Sequence, residues 1–288
     1  MSELSVYLNG RIVPADQACI SVSDAAVLHG ASAFTTMLAH NGRVFRLPGH
    51  LERLLGTVGR LGLRTETAAA PLAAAVEELL RAGGLTEARL RITLSPGSVR
   101  DDGEARPTTL ITAEPLPPQP EDWYRKGLTV VVSSFRQTAE DPTAGLKTGC
   151  YLPRVLAMKE AAAKGAAEAL WFTHDHRLAE ACFCNVFLVL GGKVLTPPVD
   201  TPALPGIVRG AVIELCGALG IDCRQDQALT VREMLAAEEI FLTASCSGVR
   251  PVVRVERHPV GQERPGPVTQ RLASAYRDLL DRECPPRP

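Results

Sequence analysis

One lysine of the chain lies in a different sequence context from the others. Four of the five lysines are expected to be solvated, because they begin a strand, lie on the polar side of a predicted helix or fall in a turn: Lys126, Lys159, Lys164 and Lys193. Lys147 instead precedes Thr148-Gly149 and a predicted helix. The field of a helix N-terminus lowers the pKa of an ammonium group, and an amine with a lowered pKa can form an imine with a carbonyl carbon. An ordinary solvated loop lysine is the alternative interpretation.

A single carboxylate interrupts an otherwise uncharged predicted strand. Glu180 lies within residues 178–190, and the side chains on its predicted face, Cys182, Cys184 and Val186, are apolar. A carboxylate that faces a protein interior needs a partner, because burial of an unpaired charge is costly. That partner is either an arginine, in a structural ion pair, or the protonated ring nitrogen of a bound heterocyclic cofactor. The residues themselves leave both open.

Three further features suit an anion such as phosphate. Arg53 lies off the apolar stripe of its predicted helix, and its planar, permanently charged guanidinium group matches phosphate, although a snorkelling surface arginine is the alternative. Backbone N–H groups at Gly206, Ile207 and Val208 begin another predicted helix, where anions often bind. Hydroxyl groups in Thr243-Ala244-Ser245 follow a predicted strand. Each feature alone also has an ordinary structural explanation.

The elements that position these residues begin with a small sheet and two helices. Residues 4–13 predict a hairpin about Asn9-Gly10, the dipeptide that best fills a type I′ turn. Further predicted elements are strands at 33–39, 44–47, 88–95 and 108–113, a helix that begins at Pro48 and a helix at 70–82. The proline-rich segment at 115–120 is interpreted as a domain boundary.

The second half predicts more strands and three helices. The predicted strands are 128–133, 168–173, 179–190, 193–196, 239–243 and 251–255, and the predicted helices are 151–164, 207–219 and 267–282. Strands and helices do not alternate regularly, so an α+β fold is favoured over a doubly wound sheet. We expect a small N-terminal α/β lobe, residues 1–120, and a larger C-terminal β-rich lobe with helices, residues 121–288.

Composition narrows the possible functions. The chain has 288 residues, with 31 Lys and Arg against 32 Asp and Glu, so it has no excess of positive charge to attract nucleic acid or a membrane surface. It contains no apolar run near the ~18 residues of a transmembrane helix, and its N-terminus has no basic or apolar targeting pattern, which predicts a cytoplasmic protein. Its eight cysteines lack metal-ligand spacing, and His174-Asp175-His176 favours a turn, so no metal site is expected.

Five motifs occur in an order that identifies a family. They are Val44-Phe-Arg-Leu-x-x-His50-Leu-x-Arg53-Leu, Lys147-Thr-x-x-Tyr151-Leu, Leu178-Ala-Glu180 with Asn185-Val-Phe, Leu204-Pro-Gly-Ile-x-Arg209 and Phe241-Leu-Thr. Over nearly its whole length the chain resembles the class IV, or fold-type IV, pyridoxal-phosphate-dependent aminotransferase family, which includes branched-chain and D-amino-acid aminotransferases and 4-amino-4-deoxychorismate lyase. The resemblance implies pyridoxal 5'-phosphate as cofactor and a homodimer.

The resemblance also implies a role for each matching residue. Lys147 forms the imine with the cofactor and then shuttles a proton, while Glu180 pairs with the ring nitrogen. Tyr151 lies near the phenolic oxygen of the cofactor. The phosphate is bound by Arg53, Gly206, Ile207, Val208 and Ser245. Cys150 and Val208 replace an asparagine and a hydroxyl residue that are common in the family, so we expect weaker cofactor binding.

The predicted substrate contacts are Phe34, Thr36, Arg91 and Arg250. Phe34 and Thr36 share a strand face, and either arginine can bind a carboxylate, although structural or solvated arginines are the alternative. We predict an aminotransferase that moves an amino group between an amino acid and a 2-oxo acid. The alternatives are 4-amino-4-deoxychorismate lyase, which releases pyruvate and 4-aminobenzoate and which residues 34–36 and 247–252 resemble more closely, and a non-catalytic ligand-binding relative.

Overall fold

The chain forms two compact units. The structure, a computed structural model, describes residues 4–100 and 106–287. The first unit contains the described parts of Met1–Pro117, Leu146–Cys150 and Leu280–Pro288, and the second contains Pro118–Gly145 and Tyr151–Leu279. The division into lobes 1–120 and 121–288 stays a prediction. It assigns Leu146–Cys150 and Leu280–Pro288 to the C-terminal lobe, whereas both segments group with the first unit. The segment Leu146–Cys150 carries Lys147.

The first unit is built on a six-stranded antiparallel sheet in the order β2-β1-β6-β5-β3-β4. Its strands are β1 Ser5–Leu8, β2 Arg11–Pro14, β3 Ala33–His40, β4 Arg43–Val44, β5 Ala88–Ser95 and β6 Thr108–Pro115. Its helices are α1 Ala25–His29, α2 Leu47–Arg60 and α3 Ala69–Ala82, with a 3-10 turn at Ala15–Gln17. The predicted hairpin is confirmed, because Asn9 and Gly10 have the positive φ values, 47° and 94°, of a type I′ turn.

Helices α2 and α3 cover one face of this sheet. Alternate residues of β3, among them Met37 and Ala39, enter an apolar core that they share with leucines of both helices. Because successive residues of a strand point to opposite faces, Phe34 and Thr36 lie on the other face. One face of β3 therefore packs in the core, and the opposite face carries Phe34 and Thr36, which are predicted to bind substrate.

The predicted strand at 44–47 is wrong beyond Val44. Arg46 adopts a left-handed conformation, with φ of 49°, and Leu47 already begins α2. Pro48 lies in the first turn of the helix, where its missing N–H group costs no hydrogen bond.

The second unit is built on a larger sheet in the order β12-β11-β10-β13-β14-β7-β8-β9, with β15 paired to β14. Its strands are β7 Leu128–Gln137, β8 Glu168–Thr173, β9 Leu178–Ala181, β10 Asn185–Leu190, β11 Lys193–Leu195, β12 Cys223–Arg224, β13 Glu239–Ala244, β14 Gly248–Val255 and β15 His258–Pro259. Its helices are α4 Asp122–Arg125, α5 Leu152–Ala163, α6 Ile207–Ala218 and α7 Val231–Ala236, and α8 Pro267–Glu283 runs from this unit into the C-terminal segment of the first unit. None of the helices within the two described ranges combines the length and the apolar character needed to cross a membrane.

The single strand predicted at 179–190 is wrong, because the chain turns at Cys182–Cys184 and forms two strands. The N–H group of Ala181 donates to the carbonyl of Cys184 at 2.7 Å, which closes the turn. The buried carboxylate of Glu168 accepts from the N–H group of Cys182 at 3.1 Å and from the thiol of Cys184 at 3.4 Å. Strand alternation from Glu180 therefore does not continue through Cys182 and Cys184.

Candidate active site

The backbone of the lysine segment packs closely on the start of β3. The N–H group of Phe34 donates to the carbonyl of Lys147 at 2.9 Å, and the N–H group of Gly149 donates to the carbonyl of Ser32 at 2.8 Å. A Cβ atom at Gly149 would lie 2.6 Å from the carbonyl oxygen of Gly30, closer than real Cβ contacts allow. The approach therefore requires glycine, and it fixes the backbone of Lys147 beside the strand.

The side chain of Lys147 lies against the face of an aromatic ring. Lys147 is half-buried, and its Nζ atom is 4.8 Å from the centroid of the Phe34 ring. The guanidinium carbon of Arg91 is 3.6 Å from the same centroid, and Arg91 Nε donates to Thr93 Oγ1 at 3.1 Å. Thr36 is the cross-strand partner of Arg91. The structure thus brings together Lys147 and three of the four residues predicted to bind substrate.

Arg53 contacts two buried polar side chains on the core side of β3. Its Nη2 atom donates to Thr35 Oγ1 at 3.1 Å and lies 3.4 Å from His50 Nδ1, which is 3.0 Å from the same hydroxyl oxygen. Burial first, and then the charges of Arg53 and Lys147, lower the pKa of His50 to about 3. His50 is therefore a neutral hydrogen-bond partner at physiological pH. The sequence motif contained His50 but gave it no role.

Glu180 lies in the interior of the second unit and has an arginine partner. It is 5% exposed, and its Oε1 atom is 2.5 Å from Arg154 Nη2. Its Oε2 atom accepts from the N–H group of Leu204 at 2.9 Å. The sequence left two partners open for Glu180, an arginine or the ring nitrogen of a cofactor, and the structure shows the arginine. A carboxylate has further lone pairs, so this ion pair is compatible with a second partner.

Arg154 is a residue that the sequence interpretation missed. It lies in the first turn of α5, where the helix dipole disfavours a positive charge. An arginine at such a position needs an anionic partner, and this was the available signal. Burial acts to lower the pKa of Arg154, but the charge and hydrogen bond of Glu180 together with the nearby Tyr151 and Cys182 outweigh it, so the pKa is raised.

The start of α6 is positioned by an asparagine from the sheet. Asn185 Nδ2 donates to the carbonyl of Leu204 at 2.8 Å, and Gly206 precedes the first helical residue, Ile207. Asn185 pairs across the sheet with Thr243, so both side chains lie on one face. Thr243 is 2% exposed, and its Oγ1 atom has no hydrogen-bond partner among residues 4–100 and 106–287. A buried hydroxyl without a partner costs free energy, so this position suits a polar ligand.

The other predicted site residues of the second unit occupy separate positions. Ser245 is half-buried in the turn after β13, and Val208 is buried in α6. The Tyr151 ring precedes α5 and stacks on Phe183, with 5.9 Å between centroids. Arg250 is 6% exposed and donates to Cys184 Sγ at 2.9 Å, so its predicted role in substrate binding stays a prediction without support from these contacts.

Comparison with known proteins decides the family. Residues 32–255 match the family described as Amino-transferase class IV, a range that contains the lysine segment, Glu180 and the start of α6. The chain belongs to the class IV aminotransferase family. This confirms the predicted family and the preference for an aminotransferase, an enzyme that exchanges an amino group between an amino acid and a 2-oxo acid.

Relatives of this class IV aminotransferase match nearly all of its length. The branched-chain-amino-acid aminotransferase of Escherichia coli K12 is 29% identical over 96% of the chain and 93% of its own length. A crystal structure of the Escherichia coli branched-chain amino acid aminotransferase has a TM-score of 0.90 at 29% identity and covers 98% of this chain and 96% of its own. The T.th. branched-chain amino acid aminotransferase with pyridoxamine 5'-phosphate has a TM-score of 0.91 at 27% identity and covers 100% and 96%. The predicted α+β fold of two lobes is confirmed.

Proposed function

We propose that this class IV aminotransferase uses pyridoxal 5'-phosphate to move an amino group between a branched-chain amino acid and a 2-oxo acid. The observation that carries the proposal is the match to branched-chain aminotransferases over almost the whole of both chains. One of those relatives is a structure with pyridoxamine 5'-phosphate, the amino form of the same cofactor. A homodimer and a cytoplasmic location stay predictions from the sequence.

The residues of the chain fit this cofactor. The buried hydroxyl of Thr243 has no partner within the described ranges and pairs across the sheet with Asn185, which binds the chain just before α6. A phosphate oxygen at the start of α6 would supply the missing partner and accept from helix N–H groups. Lys147 is half-buried, and the Phe34 ring contact places its Nζ atom at a defined position beside β3 rather than in open solvent.

We assign the following roles to these residues. When bound, pyridoxal 5'-phosphate supplies a carbonyl carbon and a ring that withdraws electrons from the amino acid Cα. Lys147 would hold the cofactor at that carbonyl carbon through Nζ and would serve as the base that takes up and returns the Cα proton of the amino acid. Glu180 would accept a hydrogen bond from the protonated ring nitrogen, and Tyr151 would bind the phenolic oxygen. Arg53, the N–H groups at Gly206, Ile207 and Val208, and Ser245 would hold the phosphate, with Thr243 as an added donor.

Substrate binding is assigned to the face of β3 that carries Phe34. The buried Phe34 ring contacts the Arg91 guanidinium group and Lys147 Nζ, and Thr36 lies on the same strand face. Arg91 is oriented by Thr93 and can donate to the α-carboxylate of the amino acid. The predicted carboxylate role of Arg250 stays a second candidate.

The cofactor part of the proposal is tested with a lysine replacement. Purified wild type, Lys147→Ala and Lys164→Ala are mixed with pyridoxal 5'-phosphate, treated with borohydride and analysed by intact mass spectrometry. Before borohydride, wild type and Lys164→Ala should show visible absorbance from the imine, and after it each should have gained the mass of one reduced cofactor. Lys164 is the matched control because it is an exposed residue after α5. Lys147→Ala should gain neither. Equal labelling of Lys147→Ala and wild type would refute the assignment.

The substrate part is tested by separate incubations. Wild type is given 2-oxoglutarate with L-leucine, L-isoleucine, L-valine or D-alanine, and glutamate is measured. A further incubation with 4-amino-4-deoxychorismate is assayed for pyruvate. We expect glutamate with the branched L-amino acids. Pyruvate from 4-amino-4-deoxychorismate, with no glutamate from any amino acid, would replace the proposal by the lyase.

A further inference from the structure

Arg154 makes a dense set of contacts around Glu180. Glu180 lies opposite Trp171 on β8, on the sheet face that α5 covers, so Arg154 reaches it from the helix. Arg154 Nη2 contacts Glu180 Oε1 at 2.5 Å, while Nη1 donates to the carbonyls of Ala181 at 3.0 Å and Cys182 at 2.9 Å. One guanidinium group therefore binds both the side chain of Glu180 and the backbone of the two residues that follow it.

Neighbouring side chains hold the guanidinium group in one orientation. Its carbon lies 5.5 Å from the centroid of the Tyr151 ring and 5.2 Å from that of Trp171, so it contacts two aromatic rings. Gln137, with its amide oriented to satisfy both of its groups, accepts from Arg154 Nη2 at 2.6 Å and donates to the carbonyl of Pro202 at 3.2 Å. Each of these contacts restricts rotation of the group, so the position of the positive charge is fixed relative to Glu180.

The pair is costly unless both charges are present. The Arg154 side chain is 16% exposed and that of Glu180 is 6% exposed, so loss of either partner leaves a charge with little access to water. The first turn of α5 adds a further unfavourable field to Arg154. A carboxylate at this depth stays ionised most readily beside a cation, and Arg154 supplies that cation.

We propose that Arg154 is a positioning residue that keeps Glu180 ionised and oriented toward the ring nitrogen of the cofactor. The proposal rests on the role assigned to Glu180 above. Arg154 and the N–H group of Leu204 each bind one carboxylate oxygen, which fixes the plane of the group and leaves lone pairs on both oxygens. An ionised carboxylate accepts a hydrogen bond from the protonated ring nitrogen and balances its positive charge. A protonated carboxyl group carries no charge that could balance it.

The test measures cofactor affinity as a function of pH. Cofactor-free wild type, Arg154→Gln and Arg154→Lys are titrated with pyridoxal 5'-phosphate at pH 8, 7 and 6, and Kd is read from absorbance. For Arg154→Gln, the ratio of its Kd to that of wild type should rise as the pH falls, by up to about tenfold per pH unit, because the carboxylate takes up a proton. Arg154→Lys keeps the charge and loses the fork, so its ratio should be about three- to tenfold and constant with pH.

Two controls separate this role from a structural one. Arg125→Gln removes an exposed pair with Asp122 and should leave Kd unchanged at each pH. In a Glu180→Gln background, Arg154→Gln should add no further pH dependence, because the group that takes up the proton is already gone. A pH dependence that persists in this background would overturn the inference, since Arg154 would then act through another group.

Each remaining outcome decides between the two proposals. Binding by wild type with a ratio for Arg154→Gln that is constant with pH overturns the role of Arg154 alone. Failure of wild type to bind the cofactor overturns the proposed function, and this inference with it. If circular dichroism shows that Arg154→Gln does not fold, Arg154→Lys is used for the test. A Kd of Arg154→Lys equal to that of wild type would mean that the guanidinium geometry is not needed to orient Glu180, and would overturn the inference.

Discussion

The contact between Gly206 and Asn185 predicts that one methyl group disturbs the start of α6. In Gly206→Ala, the added Cβ atom would overlap Asn185 Oδ1 and would lie 3.3 Å from Arg209 Cβ. Gly206 has φ of −71°, which alanine adopts freely, so the backbone conformation is not the obstacle. Asn185 is 6% exposed and must turn away, which breaks its 2.8 Å hydrogen bond to the carbonyl of Leu204.

The magnitude follows from that lost bond. A buried amide and carbonyl left without partners cost about 1–3 kcal/mol, and we expect Gly206→Ala to lower the free energy of unfolding by this amount. Gly210 lies in the same helix and has open space where a Cβ atom would be, so Gly210→Ala should raise the free energy of unfolding by about 0.5–1 kcal/mol. The assay is urea denaturation of the cofactor-free variants, compared through their midpoints at equal slope.

A double variant isolates the clash. Asn185→Ala removes the side chain that the added methyl group at position 206 would meet, so the loss in Asn185→Ala with Gly206→Ala should be smaller than the sum of the two single losses. Cofactor affinity should fall in Gly206→Ala and not in Gly210→Ala, because only the first substitution displaces the N–H groups at the start of α6. Equal stabilisation by Gly206→Ala and Gly210→Ala would refute the reasoning.

Three other predictions concern single residues of the site. Thr243→Val should leave the stability of the cofactor-free protein unchanged or higher, because it removes a buried hydroxyl without a partner in the described chain. It should weaken phosphate binding about five- to tenfold in calorimetry, and unchanged binding would contradict this. Gly149→Ala should reduce the transamination rate far more than Gly59→Ala, because only the first Cβ meets neighbouring atoms. The folded-state pKa of His50, about 3 against an ordinary 6.5, means that the unfolded state binds more protons between these values. Stability should therefore fall as the pH drops from 6.5 toward 3, by up to about 1.4 kcal/mol per pH unit in urea denaturation, and His50→Gln should remove this dependence.

Local signals predicted the regular elements well. The hairpin at Asn9-Gly10 and the strand Ala88–Ser95 follow from turn chemistry and alternation over a few adjacent residues, so neighbours far along the chain do not change them. The helix α7 has a capping box from Thr230 and Glu233, a local signal that was present and was not used.

Features that depend on distant residues could not be predicted. The turn at Cys182–Cys184 depends on the carboxylate of Glu168, which no rule of strand propensity includes. The pair of Arg154 with Glu180 joins residues from α5 and β9, and the sequence offered only a cation at an unfavourable helix position. The cofactor roles came from ordered motifs of a family rather than from the physical pattern of the residues, since a lysine, an arginine and a carboxylate have many structural uses.

The two glycines of the site show how residues without chemistry determine where the chemistry lies. Gly149 follows Lys147 by two positions and allows the backbone to approach the carbonyl of Gly30, while Gly206 directly precedes Ile207 and allows the approach of Asn185. In both cases a neighbouring polar group occupies the space that any side chain would need. The backbone of Lys147 and the N–H groups at the start of α6 are therefore positioned by contacts that only glycine permits. Substitutions at these two glycines should impair function although neither residue carries a reactive group.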